Sequence, residues 1–163
     1  MNNPIIVADA SPLIALAKCG QLDLLVRVFD AIHIPATVLH EATGNPAQAG
    51  AEAVAEFASR FASVHPDRDD SFFQDVRAVL DEGEAQALSL AYALNCGVLM
   101  DERRGRQVAT TLGIPLFGVL GVLLQAKRRG IITAVQPILY ELLAHEYRLS
   151  SALIAAVLKE AGE

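Results

Sequence analysis

Tryptophan is absent from the 163-residue chain, and its aromatics are six phenylalanines and three tyrosines, most of them inside apolar runs. No row of rings is readable as a platform for stacking bases. Cysteine is scarce: Cys19 and Cys96 stand alone, each followed by glycine. Two isolated thiols argue against a disulfide-stapled scaffold or a cysteine-rich metal site and suit a reducing compartment. His33, His40, His65 and His145 show no zinc-ligand spacing. Bases are in deficit, 13 against 19 acids, for a formal net charge of −6, which excludes coating nucleic acid by bulk charge. The apolar run Ile114 to Leu124 has 11 residues and contains Pro115, Gly118 and Gly121, well short of the ~20 needed to span a bilayer. No cationic segment precedes the first apolar run and no small-residue cleavage pattern follows it. A cytoplasmic protein with no membrane partner is the expectation.

What is present suffices for one core. With 53% hydrophobic and 20% charged residues, a chain of this length fits one domain over 1–163. The C-terminal helices from about residue 133 are expected to pack on it or to form an interface. The bases are not spread evenly: six of the thirteen fall in ERRGRQ (Arg103, Arg104, Arg106) and AKRRG (Lys127, Arg128, Arg129).

Ile5 to Ala8 reads as a buried strand, and Ser11-Pro12 as a helix start, with serine as cap and proline at the first helical position. That places Asp9 at the strand tip, outside the helix. A helix through Lys18 closes at Gly20; LDLLVRVF has apolar periodicity, AIHIP is a short strand, and Pro35 opens a helix through ATVLHEA. GNPAQAG is a loop and AEAVAEFASRFA has helical spacing. After the polar HPDRDDS, a turn at Asp81 to Gly83 leads into a strongly apolar helix; GVLMD is a second strand ending in an acid. RRGRQVATTLG, VLGVLLQAKRRG, AVQPILYELLAHE and SALIAAVLKEAG are further helices, the last capped by Ser150, and IPLF is a strand. Short aliphatic strands alternating with helices predict a three-layer α/β/α sandwich with a mainly parallel central sheet.

In such a sheet, ligands bind beyond the carboxyl ends of the strands. Asp9 and Asp101 both occupy that position, and on neighbouring strands their carboxylates converge. Either acid also suits a helix cap, a role that Ser11 already fills beside Asp9. At 100° per residue, Glu84, Leu88, Ala91 and Asn95 form an inward stripe, whereas Glu82, Gln86, Ser89 and Ala93 form the opposite one. A favourable helix dipole accounts for an acid in the first turn but not for an inward direction. Glu41 follows Val38 by three positions and can share its inward face; a solvent-facing surface glutamate is the competing reading. Converging carboxylates repel unless a cation is present. Oxygen ligands without a His or Cys cluster favour Mg²⁺ or Mn²⁺ over zinc.

The order VADASPLI, PATVLHEA, LDEGEAQALSLA, LMDERRGRQVA and GVLGVLLQAKRRGII resembles the PIN-domain family of metal-dependent ribonucleases, and most closely the prokaryotic subgroup similar to VapC-type toxins of toxin-antitoxin pairs. The resemblance covers nearly the whole chain. It implies an acidic site of Asp9, Glu41, Glu84 and Asp101, supported by Ser11. The metal ligands it implies are Asp9, Glu84 and Asp101, with Glu41 and Glu102 as further candidates. The family's last motif often carries another acid just past the position of Asp101. Here Glu102 and Arg103 follow, so either Glu102 takes that role or a second metal is weakly held. Many relatives have aspartate where this chain has Glu84.

The implied chemistry is endoribonucleolytic hydrolysis leaving a 5′-phosphate and a 3′-hydroxyl, with metal activating water and neutralising charge on the phosphate. Arg103, Arg104 and Arg106 directly follow Asp101 and are the candidate RNA contacts, with a solvated helix face as the alternative. Lys127 to Arg129 suit a helix C-terminus as well as RNA. A small antitoxin and a homodimer are the protein partners the resemblance implies.

Two other enzyme classes put acids at strand tips. A receiver domain wants an acid pair at the first strand and a late lysine, and a haloacid dehalogenase wants Asp-x-Asp, where this chain has Ser11. The remaining competitor is a PIN-like module that binds RNA or protein without cutting.

Overall fold

A computed structural model of the chain describes residues 4–163. Five strands, β1 (Ile5–Ala8), β2 (Ala31–Pro35), β3 (Ala62–His65), β4 (Gly97–Leu99) and β5 (Leu116–Phe117), form one sheet in the order β3-β2-β1-β4-β5. Every pairing is parallel. The helices are α1 (Ala10–Lys18), α2 (Asp23–Val28), α3 (Ala36–Thr43), α4 (Ala51–Phe61), α5 (Ser71–Arg77), α6 (Glu82–Leu94), α7 (Arg103–Thr111), α8 (Val119–Arg128), α9 (Gln136–Ala144) and α10 (Ser151–Ala161).

Successive strand residues point to opposite faces. Ile6, Val7 and Ala8 of β1 and Val98 and Leu99 of β4 are all fully buried, so helices cover both faces of the central strands. This is the α/β/α sandwich expected of continuous aliphatic strands without alternation. Helix α6 packs on β1, β2 and β4, α9 on α1, and α10 on α8.

From β1 the chain runs outward to β2 and β3, then returns to the other side of β1 for β4 and β5. The strand order thus reverses between β1 and β4, which is where an open α/β sheet opens a crevice at its carboxyl edge. The register Ala8↔Leu99 brings the two strands to that edge together.

Three local readings need correction. Helix α1 starts at Ala10, so Asp9 occupies the N-cap position and Ser11 is an exposed first-turn residue that caps nothing. Pro12 fits within that turn because the first helical N–H groups have no intrahelical partner anyway. Second, Gln86 and Ser89 are buried. Helix α5 packs against α6, and the Gln86 amide pairs with the Arg68 peptide, accepting its N–H at 2.8 Å and donating to its carbonyl at 2.9 Å. Third, Asn95 leaves the inward stripe and ends α6 exposed, in the left-handed region at φ 52°. Helix α5, capped by Asp70, which accepts the Phe73 N–H at 2.9 Å, and the edge strand β3 are elements that the polar passage around them concealed.

Candidate active site

Asp9 leaves β1 in extended conformation, its own N–H donating to Leu99 on β4 at 3.0 Å. The side chain is 4% exposed. Burial pushes its carboxyl from 3.8 up to about 7; the Ala10 N–H pulls it down, and the charges of Asp81, Glu41 and Asp101 push it further up.

Asp101 stands two residues beyond β4. Its Oδ1 accepts the Val119 N–H at the start of α8 at 3.1 Å. Its Oδ2 is buried and has no hydrogen-bond partner. Burial raises this carboxyl, against the lowering influence of the Val119 N–H, the Tyr147 hydroxyl and the Arg106 guanidinium. Gly118 leaves the space: a Cβ there would lie 2.8 Å from Arg106 Nη1 and 3.2 Å from Asp101 Oδ1.

Glu84 enters from the first turn of α6. Burial lifts its carboxyl from 4.5 to about 8, followed by the Asp81 side chain and then the charges of Asp9 and Glu102. Its N–H is capped by Asp81 Oδ1 at 2.9 Å. Glu41 reaches the same helix start from α3. Its carboxylate rests on Gly83, where an added Cβ would come within 2.6 Å of Oε1. Burial first, then Asp81, raises the Glu41 carboxyl, and the Gly83 N–H opposes the rise.

Asp9 thus feels the charges of Asp81, Glu41 and Asp101, and Glu84 those of Asp81, Asp9 and Glu102, which gathers these acids near the reversal point. Glu102 caps α7, accepting the Gly105 N–H at 2.9 Å through Oε2, and its charge reaches Glu84. Ser11 shares a small pocket with Ile14, His145 and Tyr147. Of the three arginines, Arg103 and Arg104 are exposed, while Arg106 is half-buried with Nη1 on the Met100 carbonyl at 2.8 Å. Arg103, Arg106 and Asp101 line one open groove. The second basic stretch is occupied internally: Lys127 pairs with Glu163 at 2.9 Å, Arg128 with Glu160, and Arg129 donates to the Val28 carbonyl at 3.1 Å.

Two site neighbours escaped the sequence reading. Asp81 influences Asp9, Glu41 and Glu84 alike; its spacing of three before Glu84 is a capping signal that could have placed it there. Tyr147 meets Asp101 from a segment 46 residues away in sequence, and burial and that carboxylate hold its phenol well above its ordinary value. No local motif announces it.

Among the described residues, no three His, Cys, Asp or Glu side chains are gathered closely enough to hold an ion as they stand. The donor chemistry nevertheless fits a hard cation. Three inward carboxyls are raised chiefly by burial, and an orphaned carboxylate oxygen lies among them. A divalent ion would relieve both conditions.

The structure is a parallel α/β/α sandwich with acids on both sides of its reversal point. The chain belongs to the PIN domain family, whose model matches residues 5–163. The structure is similar to that of PAE2754 from Pyrobaculum aerophilum, at 19% identity and TM-score 0.54, over 77% of this chain and 97% of that one. A PilT N-terminus domain protein from the archaeon Sulfolobus solfataricus P2 superposes at 13% identity and TM-score 0.49, over 72% of this chain and 89% of that one. No curated protein matches. No helix among the described residues is long and apolar enough to cross a membrane.

Proposed function

We propose that the chain is a metal-dependent endoribonuclease that hydrolyses RNA phosphodiester bonds and serves as the toxin of a toxin-antitoxin pair. The observation that carries the reading is Asp9, a carboxyl 4% exposed at the reversal point and facing the charges of Asp81, Glu41 and Asp101. An uncompensated acid there costs stability, and a cation in the crevice removes that cost.

Asp9, Asp101 and Glu84 are the residues that would hold Mg²⁺ or Mn²⁺, with Glu41 and Glu102 at the margin. When bound, the ion supplies water activation and neutralises charge on the scissile phosphate. The chain's own part is to orient the carboxylates, through Val119 on Asp101 and Gly83 under Glu41, and to meet a phosphate with Arg106 or Arg103. Ser11 has no role as nucleophile in this reading: it is exposed and no hydrogen bond joins it to His145, its pocket neighbour.

Partners follow from the same reading. A small antitoxin protein would restrain the enzyme, and the exposed side of α10, with Leu153 at 44% exposure, offers apolar surface for a homodimer. The cytoplasm is the proposed location.

The acid side chains as they stand favour one competing reading, a PIN-like binding module without catalysis, because Glu84 is turned to Asp81. Cleavage of a pool of labelled single-stranded and structured RNAs, with Mn²⁺, Mg²⁺ or EDTA, separates the two. Cutting that requires metal and disappears in Asp101→Asn is expected. A folded protein that cuts nothing under any metal, and gains no thermal stability from Mn²⁺, is a binding module.

A further inference from the structure

Tyr147 stands at the crevice with no task in the chemistry above. The chain takes an unusual path to bring it there. After α9 ends at Ala144, Glu146 turns into the left-handed region at φ 66°, a conformation uncommon outside glycine and asparagine. The Tyr147 N–H then folds back onto the Leu142 carbonyl at 3.0 Å. The side chain is turned inward between two features. One is a groove of about 910 Å³ that it lines with Asp101, Arg106 and Gly118; the other is the small pocket beside Ser11 and Ile14. The far end of the same C-terminal segment is anchored by Glu163, which accepts the Val135 and Gln136 N–H groups at 2.8 and 3.0 Å and pairs with Lys127.

Asp101 is the carboxylate that this arrangement meets. Its Oδ1 is fixed by the Val119 N–H at 3.1 Å, its Oδ2 is buried without a partner, and Tyr147 lines the same groove as Asp101, within reach of its charge. Arg106 donates through Nη1 to the Met100 carbonyl at 2.8 Å and acts on Asp101 through its charge. A phenol is protonated at neutral pH and donates to a carboxylate.

We infer that Tyr147 is a positioning residue for Asp101: together with the Val119 N–H it arrests rotation of the carboxylate and holds Oδ2 ready for a cation. The inference rests on the metal-dependent reading of the site and adds to it a residue delivered by the C-terminal segment. Partners that orient a ligating carboxylate commonly change metal affinity by about 10–100-fold when removed.

The test compares the full chain with Tyr147→Phe and Asp101→Asn. Mn²⁺ affinity is measured by calorimetry, and tyrosine absorbance is followed through the same titration. The chain has no tryptophan and three tyrosines, of which Tyr92 and Tyr140 are 58% and 52% exposed, so a metal-induced difference spectrum reports Tyr147. The wild type is expected to give a saturable tyrosine signal. Tyr147→Phe keeps its ring, its circular dichroism and its KM for RNA. It loses the signal and binds Mn²⁺ about tenfold more weakly, and its kcat recovers at high Mn²⁺.

If Tyr147→Phe binds Mn²⁺ like the wild type while Asp101→Asn does not, the metal site stands and the phenol is packing alone. A Mn²⁺-saturated wild type whose tyrosine spectrum does not move overturns the inference without recourse to any Tyr147 variant. A wild type that binds no Mn²⁺ overturns both the inference and the reading beneath it.

Discussion

Asp9 and Asp101 leave adjacent parallel strands on either side of the sheet's reversal point, and the charge of Asp101 adds to the burial that pushes the Asp9 carboxyl up to about 7. The pairing makes the stability of the metal-free protein depend on pH in a definite direction. Asp9 has a folded value above its ordinary 3.8, so between about pH 4 and 7 the folded state holds a proton that the unfolded state has released. Stability therefore falls as pH rises through that window, by at most on the order of 4 kcal/mol from this group. Urea unfolding in EDTA from pH 4 to 8 should show the decline, and Asp9→Asn should flatten it. A slope unchanged in Asp9→Asn would assign the decline to other groups.

Metal should reverse that slope. A cation favours the ionised carboxylates, so Mn²⁺ must displace protons from Asp9 and Glu84 at low pH and displaces few at high pH. The thermal shift produced by saturating Mn²⁺ is expected to be larger at pH 8 than at pH 5. Equal shifts at both would place the bound ion away from these two acids.

Gly83→Ala separates the site from the fold. The new Cβ would meet the Glu41 carboxylate, while alanine favours a helix over glycine by up to about 1 kcal/mol. Stability should hold or rise and metal-dependent cleavage should fall by roughly tenfold. A variant with unimpaired cleavage would remove Glu41 from the working set.

The arginines after Asp101 should not be equivalent. Arg106 is turned toward Asp101, and Arg104 is exposed on α7 outside the groove that Arg103 and Arg106 line. Arg106→Ala is expected to weaken RNA binding and to reduce the salt dependence by about one counterion, and Arg104→Ala to leave both near wild type. Filter binding across a salt series reads the difference, and equal effects would favour a diffuse basic surface.

Gln86→Leu tests the buried face that the helical wheel assigned to solvent. It removes both partners of the Arg68 peptide, leaving a donor and an acceptor unmatched at about 1–3 kcal/mol each. Chemical denaturation should show a loss of that order; a neutral substitution would mean that water reaches the Arg68 peptide.

Much of the scaffold was legible because its signals are local. The aliphatic runs before Asp9 and Asp101 are strands as read, buried at Ile6 to Ala8 and Gly97 to Leu99 although Ile5 is exposed, and the helix-stop glycines and Ser150 marked their own boundaries. Glu84 was readable as inward because its stripe partners Leu88 and Ala91 are fully buried. The same geometry failed for Gln86 and Ser89, since periodicity assigns a face to solvent only if no other element covers it. Helix α5 covers this one, and its own sequence is too polar at the start to announce it. Ser11 was misread as the cap because Ser-Pro is a helix-start pattern wherever it occurs, whereas the strand register had already set the turn one residue after Asp9.

The sequence by itself determined the alternation of strands and helices, and with it a parallel sheet whose acids stand at strand ends; periodicity and capping act over a few residues and are carried by the chain locally. Only the tertiary structure decided which acids meet. The order β3-β2-β1-β4-β5 brings β4 beside β1, the start of α6 sets Asp81 between Glu41 and Glu84, and the turn at Glu146 brings Tyr147 to Asp101. Those relations depend on strand neighbours and loop paths chosen by burial of the whole core, and no window of the sequence contains them.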